Sequence, residues 1–168
     1  MLKDFNLIIS SRRGEENAAC SEVIYLLKTW LGDERCEADI TGIAGVVVAR
    51  TSLNPFEAIR KLRELFHKHP YEFQYTLKYV PVEKVVRTNL DLIAEAAKEL
   101  AEKIAPDETY RVTVKKRHTQ LSSMEIIEAV ASQIDRKVDL KNPQKIVQVE
   151  VLGGWTGIAV ITPEDIFS

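Results

Sequence analysis

Four consecutive basic residues, Lys115-Lys116-Arg117-His118, form the segment of the sequence with the clearest chemical potential. No Asp or Glu occurs between Thr109 and Met124, although the whole chain carries a formal net charge of -2. Lysine and arginine neutralise phosphates, and a histidine can add a hydrogen bond or stack on a base. A solvated loop has the same residue types, so composition alone leaves both interpretations open.

A second basic segment, residues 137–145 (KVDLKNPQK), shows no regular hydrophobic period and predicts a defined turn. We expect Lys141, Asn142 and Lys145 to lie on the same face as the first cluster and to assist it. Taken alone, the segment is better explained as a simple connection between a helix and a strand.

Three other residues are weaker candidates for contacts with a nucleic acid. Trp155 follows the pair Gly153-Gly154, and it either covers the edge of a sheet or offers a stacking surface for a base. Arg12 and Arg13 precede a predicted helix, whose amino terminus favours anions. Exposed arginines at a helix start are also common without any ligand.

Residues that would support catalysis or metal binding do not form a known pattern. His67 and His69 end a predicted helix, where they complement its dipole, and a metal would need a third ligand. Cys20 and Cys36 have no metal-ligand spacing and predict free, buried thiols. The chain also lacks a P-loop, a dinucleotide fingerprint and a nucleophile elbow. We therefore expect no catalytic residue, no metal and no cofactor.

The composition is that of an ordinary globular protein, with 168 residues, 45% hydrophobic and 29% charged. Positive and negative residues nearly balance in each half, so a nucleic-acid contact must come from local arrangement. No apolar run approaches the ~20 residues that cross a bilayer, and the start does not resemble a signal peptide. We expect a cytoplasmic protein with no membrane partner.

The first half predicts a βαββαβ order, the ferredoxin-like pattern, with helices on one face of a four-stranded sheet. Asn54 and Pro55 suit the cap and first position of the second helix, and Pro70 ends it. The predicted strands are residues 5–10, 36–40, 45–51 and 73–80, and the predicted helices are residues 14–31 and 55–69.

The second half begins near Pro81, and its predicted strand of residues 110–114 is followed by a helix that starts with the capping box Ser122-Ser123-Met124-Glu125. The basic residues 115–118 then fall at an exposed strand-to-helix turn, where the backbone N–H groups of the helix start also attract anions. The other predicted elements are a helix over residues 90–104 and strands over residues 146–152 and 155–161, joined by Gly153-Gly154.

The second half resembles a THUMP domain, the RNA-binding module of 4-thiouridine synthases, some tRNA methyltransferases and some pseudouridine synthases. The resemblance rests on residues 110–117, on residues 137–143 with their Val-Asp-Leu-Lys-Asn-Pro stretch, and on the strand of residues 147–151. It implies an α+β protein, in which an N-terminal ferredoxin-like domain (residues 1–82) precedes an α/β THUMP domain with a small mixed sheet (residues 83–168).

Across nearly its whole length the chain resembles stand-alone THUMP proteins that assist the tRNA cytidine acetyltransferase. The matching segments are residues 79–83, 115–118, 153–158 and 163–166. This resemblance implies a non-catalytic protein that binds tRNA, holds its 3′ acceptor end and helps a separate enzyme to form 4-acetylcytidine. The implied partners are tRNA and that enzyme.

Two alternatives remain open on the sequence. A small enzyme that acts on RNA or on a nucleotide would need acids such as Asp135, Asp139 and Glu150 to converge in space. A protein-interaction module would instead use the basic turn to contact an acidic partner.

Overall fold

The computed structural model describes all 168 residues, which form two compact units. The first unit comprises residues 1–82 with residues 164–168, and the second comprises residues 83–163. The predicted second domain extended to residue 168. The chain end joins the first unit instead, because the backbone of Phe167 exchanges hydrogen bonds of 2.7 and 3.1 Å with Tyr79.

The first unit has the predicted βαββαβ order, with a four-stranded antiparallel sheet in the order β2-β3-β1-β4. Its core lies between the sheet and the two helices and includes Leu7, Ile9, Val47, Leu26 and Leu62. A π-helical turn (Leu26–Trp30) extends the first helix. The elements are β1 (Leu7–Ser10), α1 (Glu16–Tyr25), β2 (Glu37–Ile40), β3 (Val46–Arg50), α2 (Pro55–Lys68) and β4 (Lys78–Pro81).

Helix α2 begins as its sequence predicts. The Asn54 side chain accepts hydrogen bonds from the N–H groups of Phe56 and Glu57, at 2.9 and 3.2 Å, and Pro55 occupies the first helical position. Glu57 does not reach back to complete a capping box, because its carboxylate pairs with Arg60.

Strand β4 is shorter than the predicted strand of residues 73–80. The backbone N–H groups of Gln74, Tyr75 and Thr76 donate to the buried carboxylate of Glu22 rather than to a neighbouring strand. A buried carboxylate requires such donors, so the segment curves around Glu22 before the strand begins.

The second unit is a mixed five-stranded sheet in the order β5-β9-β8-β6-β7, with both helices packed on one face. Val147, Val149 and Val151 alternate along β8 and contact a core that includes Ile93 and Ile126. The elements are β5 (Lys84–Arg87), α3 (Leu90–Leu100), β6 (Thr109–Arg117), α4 (Ser123–Ala131), β7 (Lys137–Val138), β8 (Lys145–Leu152) and β9 (Trp155–Ile161). Strands β5 and β7 were not predicted.

No helix of this fold has both the length and the hydrophobicity needed to cross a bilayer. The structure also contains no group of three His, Cys, Asp or Glu side chains arranged to hold a metal ion. Cys20 and Cys36 are free thiols, and burial raises the pKa of both.

Candidate nucleic-acid interface

The strand directions of the second sheet bring several cationic positions to one end. Strand β8 is parallel to β6, and β9 is antiparallel to both β8 and β5, so β5, β6 and β8 all point the same way. Arg87, Trp155, Leu152 and Arg117 are successive partners in one row across these strands. With strands about 4.8 Å apart, Arg87 and Arg117 are separated by roughly 14 Å.

Lys115, Lys116 and Arg117 lie in β6 and not in a turn, which corrects the sequence prediction. The reason is that β8 supplies ladder partners as far as Leu152, which pairs with Arg117. The strand ends at Arg117, and the backbone of the next residue, His118, takes the left-handed conformation with a φ of 56°. Because side chains alternate along a strand, Lys115 and Arg117 share one face and Lys116 projects from the other.

Two helices start at this same end of the sheet. Strand β5 leads into α3, where the Asn89 side chain accepts from the N–H of Leu92 at 3.0 Å. Strand β6 leads into α4, where Ser122 and Glu125 form the predicted capping box. Helix amino termini carry partial positive charge, so both add to the attraction for anions.

Four cationic or titratable side chains at this end are exposed and form no ion pair. We call Arg87, Lys115, Lys116 and His118 the basic end. The Lys116 Nζ atom donates to the carbonyl oxygen of Leu121 at 3.2 Å, which leaves its other hydrogens available. The nearby Glu125 carboxylate accepts from the Ser122 N–H at 2.9 Å, as part of the helix cap.

Arg117 differs from its neighbours because it is paired with a carboxylate. Its Nη1 atom lies 3.0 Å from Oε1 of Glu150, which is 2% exposed. The other carboxylate oxygen of Glu150 accepts from Gln148 at 2.6 Å. Arg117 therefore neutralises a buried charge of the fold and is a poor candidate for a phosphate contact.

Trp155 is half-buried beside the basic end. The guanidinium of Arg87 lies 4.6 Å from the centre of its ring, a cation–π arrangement. The hydroxyl of Thr88 donates to the carbonyl oxygen of Gly153 at 2.8 Å, which joins the β8–β9 turn to the start of α3. Trp155 thus supports Arg87 and still leaves part of its ring accessible.

The loop that contains Lys141 and Asn142 lies at the opposite end of the sheet. Strand β8 starts beside Tyr110, near the beginning of β6, whereas the basic end lies where β6 finishes. Seven residues of strand separate the two ends by about 23 Å. Lys145 is also engaged, because its Nζ atom lies 2.7 Å from Glu108 and lowers the pKa of that carboxyl group. The expectation that Lys141, Asn142 and Lys145 lie beside Lys115 and Lys116 is therefore wrong.

Asp139 holds this loop through hydrogen bonds to its backbone, and we expect its titration to be measurable by NMR. Its carboxylate accepts from the N–H groups of Asn142 and Lys141, both at 3.0 Å, and these bonds lower its pKa.

A lowered pKa of Asp139 means that these hydrogen bonds stabilise the folded chain fully above the ordinary Asp pKa of about 3.9. This stabilisation is lost as the pH falls through the folded-state value. We expect the amide NMR signals of Lys141 and Asn142 to move with a midpoint below about 3.9. Asp139→Asn should abolish that titration, whereas a midpoint at or above about 3.9 would contradict the assignment.

Arg12 and Arg13 belong to the first unit, where they precede α1. The Nη1 atom of Arg12 lies 3.4 Å from Glu15 and 3.4 Å from the carbonyl oxygen of Gln74. Arg13 is exposed.

Arg87 is the residue of the basic end that sequence reasoning missed. It closes β5, which lies directly before a capped helix, just as Lys115–Arg117 precede the capped helix α4. Sequence features could have predicted this strand, although the run Lys84-Val85-Val86-Arg87 is short. Its two β-branched valines favour a strand, and Asn89 just after them is typical of a helix cap.

Comparison with known proteins supports the assignment of the second unit. Residues 87–161 match the family model of the THUMP domain. The chain is also 34% identical over 96 residues to the THUMP domain-containing protein 1 homolog of Drosophila melanogaster. That match covers 52% of this chain and 30% of the Drosophila protein, so the chain spans about a third of this relative.

Two solved structures share the fold over nearly the whole chain. PH1313 from Pyrococcus horikoshii has a TM-score of 0.67 at 19% identity, over 94% of this chain and 55% of that protein. A 4-thiouridine synthetase solved as a complex with RNA and ATP has a TM-score of 0.60 at 16% identity, over 94% of this chain and 41% of that protein. At these identities the likeness concerns the fold. The family match identifies residues 87–161 of this chain as a THUMP domain.

Proposed function

We propose that this protein binds tRNA through the basic end of its THUMP domain and presents it to a separate modification enzyme, without catalysing the modification itself. The main observation in support is that cationic side chains without an ion pair and two helix amino termini lie at one end of one sheet. Such an arrangement suits phosphate groups, which supply most of the sequence-independent affinity for nucleic acids.

The RNA segment that best fits this end is the single-stranded 3′ acceptor end of tRNA. Lys115 and Arg87 share a face of the sheet with Trp155, so phosphates and an unstacked base can be contacted together. The 4-thiouridine synthetase of similar fold was solved in complex with RNA, which supports RNA as the ligand.

The enzyme that we assign as partner is the tRNA cytidine acetyltransferase, and the product is 4-acetylcytidine. This assignment comes from the resemblance of residues 79–83, 115–118, 153–158 and 163–166 to stand-alone THUMP proteins that assist that enzyme. We propose no catalytic residue in this chain. Of the acids considered, Glu150 is paired with Arg117 and Asp139 is bound by backbone N–H groups at the other end of the sheet.

Nucleoside mass spectrometry of an unmodified tRNA tests this proposal. We expect no new nucleoside with the chain alone, and 4-acetylcytidine when the acetyltransferase and its acetyl donor are added with the chain. A chain with Lys115→Ala and Lys116→Ala should support much less product. A modified base formed by the chain alone would show instead that it is an enzyme, and product that forms equally well without the chain would exclude the adapter role.

A further inference from the structure

Strand β6 has an edge that the fold leaves largely unpaired. Strand β7 pairs with β6 only at Thr109 and Tyr110, whereas β8 pairs with it as far as Arg117. The carbonyl oxygen of Tyr110 accepts from Asp139 on the β7 side, and that of Arg117 accepts from Gly153 on the β8 side. Because backbone direction alternates along a strand, Val112, Val114 and Lys116 point their N–H and C=O groups away from β8.

An apolar cavity of about 350 Å³ opens beside this edge, where β7 stops. Its outer wall is exposed, since Met124, Val138 and Leu140 are 59%, 50% and 65% accessible to solvent. The floor comes from Tyr110 and Val112 of β6, and Ile127 and Ala131 of α4 complete the lining. Exposed apolar side chains that cluster in this way mark a candidate interaction surface.

The charges around this edge favour an acidic occupant. Lys116, Lys137 and Lys141 are exposed and form no ion pair. Of the acids nearby, Glu125 and Asp139 accept backbone N–H groups of their own helix cap and loop, and Glu128 is exposed. Arg111, which also lines the cavity, donates from Nη1 to the carbonyl oxygen of Leu140 at 2.8 Å, but its buried Nε has no acceptor. A carboxylate would provide that acceptor.

We propose that this open edge and its cavity are the docking site for an extended segment of a partner protein that alternates apolar and acidic residues. Such a segment would add to the sheet as a strand beside β6 and bond to the backbone of Val112, Val114 and Lys116. Its apolar side chains would enter the cavity on the α4 side, and its carboxylates would face Arg111 and Lys115 on the other. Lysines along the edge oppose pairing between two copies of this chain.

An NMR titration with a synthetic hexapeptide that alternates valine and glutamate tests this site on the whole chain. We expect saturable shifts of the amide signals of Val112, Val114, Lys116 and Val138. A hexapeptide of valine and lysine should cause none. Absence of saturation, or equal shifts with the lysine peptide, would overturn the proposal.

Two variants distinguish strand addition from nonspecific apolar binding. Val114→Pro removes an outward N–H without breaking the bonds to β8, so it should abolish peptide binding, whereas Val114→Ala should retain it. Leu140→Ser, at an exposed position, should weaken binding at least several-fold without unfolding the domain. Peptide binding that is unaffected by both Val114→Pro and Leu140→Ser would refute the site.

The same spectra distinguish this site from the basic end. Leu140→Ser should bind tRNA as the wild type does, so that loss of peptide binding and loss of RNA binding are separate results. If oligouridine shifts Val112 and Val138 instead of the peptide, the groove is an RNA site and the proposal fails. Shifts that depend only on protein concentration would assign the edge to self-association and would also overturn it.

Discussion

Replacing Lys115 and Lys116 with alanine is expected to reduce the affinity for tRNA by about tenfold or more. Both lysines are exposed, form no ion pair and lie where two helices begin. Each hydrogen bond to a charged group contributes on the order of 1 kcal/mol or more, and about 1.4 kcal/mol is a factor of ten in affinity. The slope of log affinity against log salt concentration should become less steep by about one for each phosphate that the variant no longer neutralises.

Fluorescence titrations with labelled tRNA at several salt concentrations measure both quantities. A variant with Lys98→Ala and Lys137→Ala is the matched control, since it removes the same charge from exposed positions away from the basic end. The control should bind like the wild type. Equal decreases in affinity for the two variants would mean that tRNA responds to net charge and not to the basic end.

Replacing Arg117 with alanine is expected to lower the free energy of unfolding by about 3–5 kcal/mol, because it leaves the buried Glu150 without its cation. Adding Glu150→Gln should recover most of this decrease, since the remaining amide carries no charge. Urea denaturation of the wild type, the single variant and the double variant measures the effect.

The double variant also separates folding from RNA binding. If Arg117 serves only Glu150, the variant with Arg117→Ala and Glu150→Gln should bind tRNA nearly as tightly as the wild type. A single variant of unchanged stability with strongly reduced RNA affinity would show that the guanidinium contacts phosphate instead.

Local signals predicted several elements well. The caps at Asn54 and Ser122, and the turn at Gly153-Gly154, depend on residues close in sequence, and all three occur in the structure. At Gly153 the turn requires a φ of 63°, which glycine adopts without strain. The βαββαβ order of the first unit followed from its caps and apolar periods, and it is observed.

Long-range pairing decided the elements that the sequence did not predict. Strand β5 exists because it pairs with β9, which lies far later in the chain, and β6 extends to Arg117 because β8 continues to Leu152. Strand β4 begins late because Glu22 binds the segment before it. None of these partners is visible within a window of neighbouring residues.

Only part of the candidate site could be predicted, because local sequence does not show long-range partners. Charge alone identified Lys115, Lys116 and His118, which are exposed in the structure. Charge could not identify the carboxylates that engage Arg117 and Lys145, since Glu150 and Glu108 are distant from them in sequence. It also could not show that Lys141 and Asn142 lie at the other end of the sheet, which depends on the parallel pairing of β6 and β8.

The most direct measurement is an NMR map of the chain bound to an RNA hairpin that reproduces the tRNA acceptor stem with its single-stranded 3′ end. We predict that the amide signals of Arg87, residues 115–121 and Trp155 shift on binding, and that removal of the 3′ nucleotides reduces these shifts. Shifts confined to residues 139–145 or to Arg12 and Arg13, with the basic end unchanged, would contradict RNA binding at the basic end.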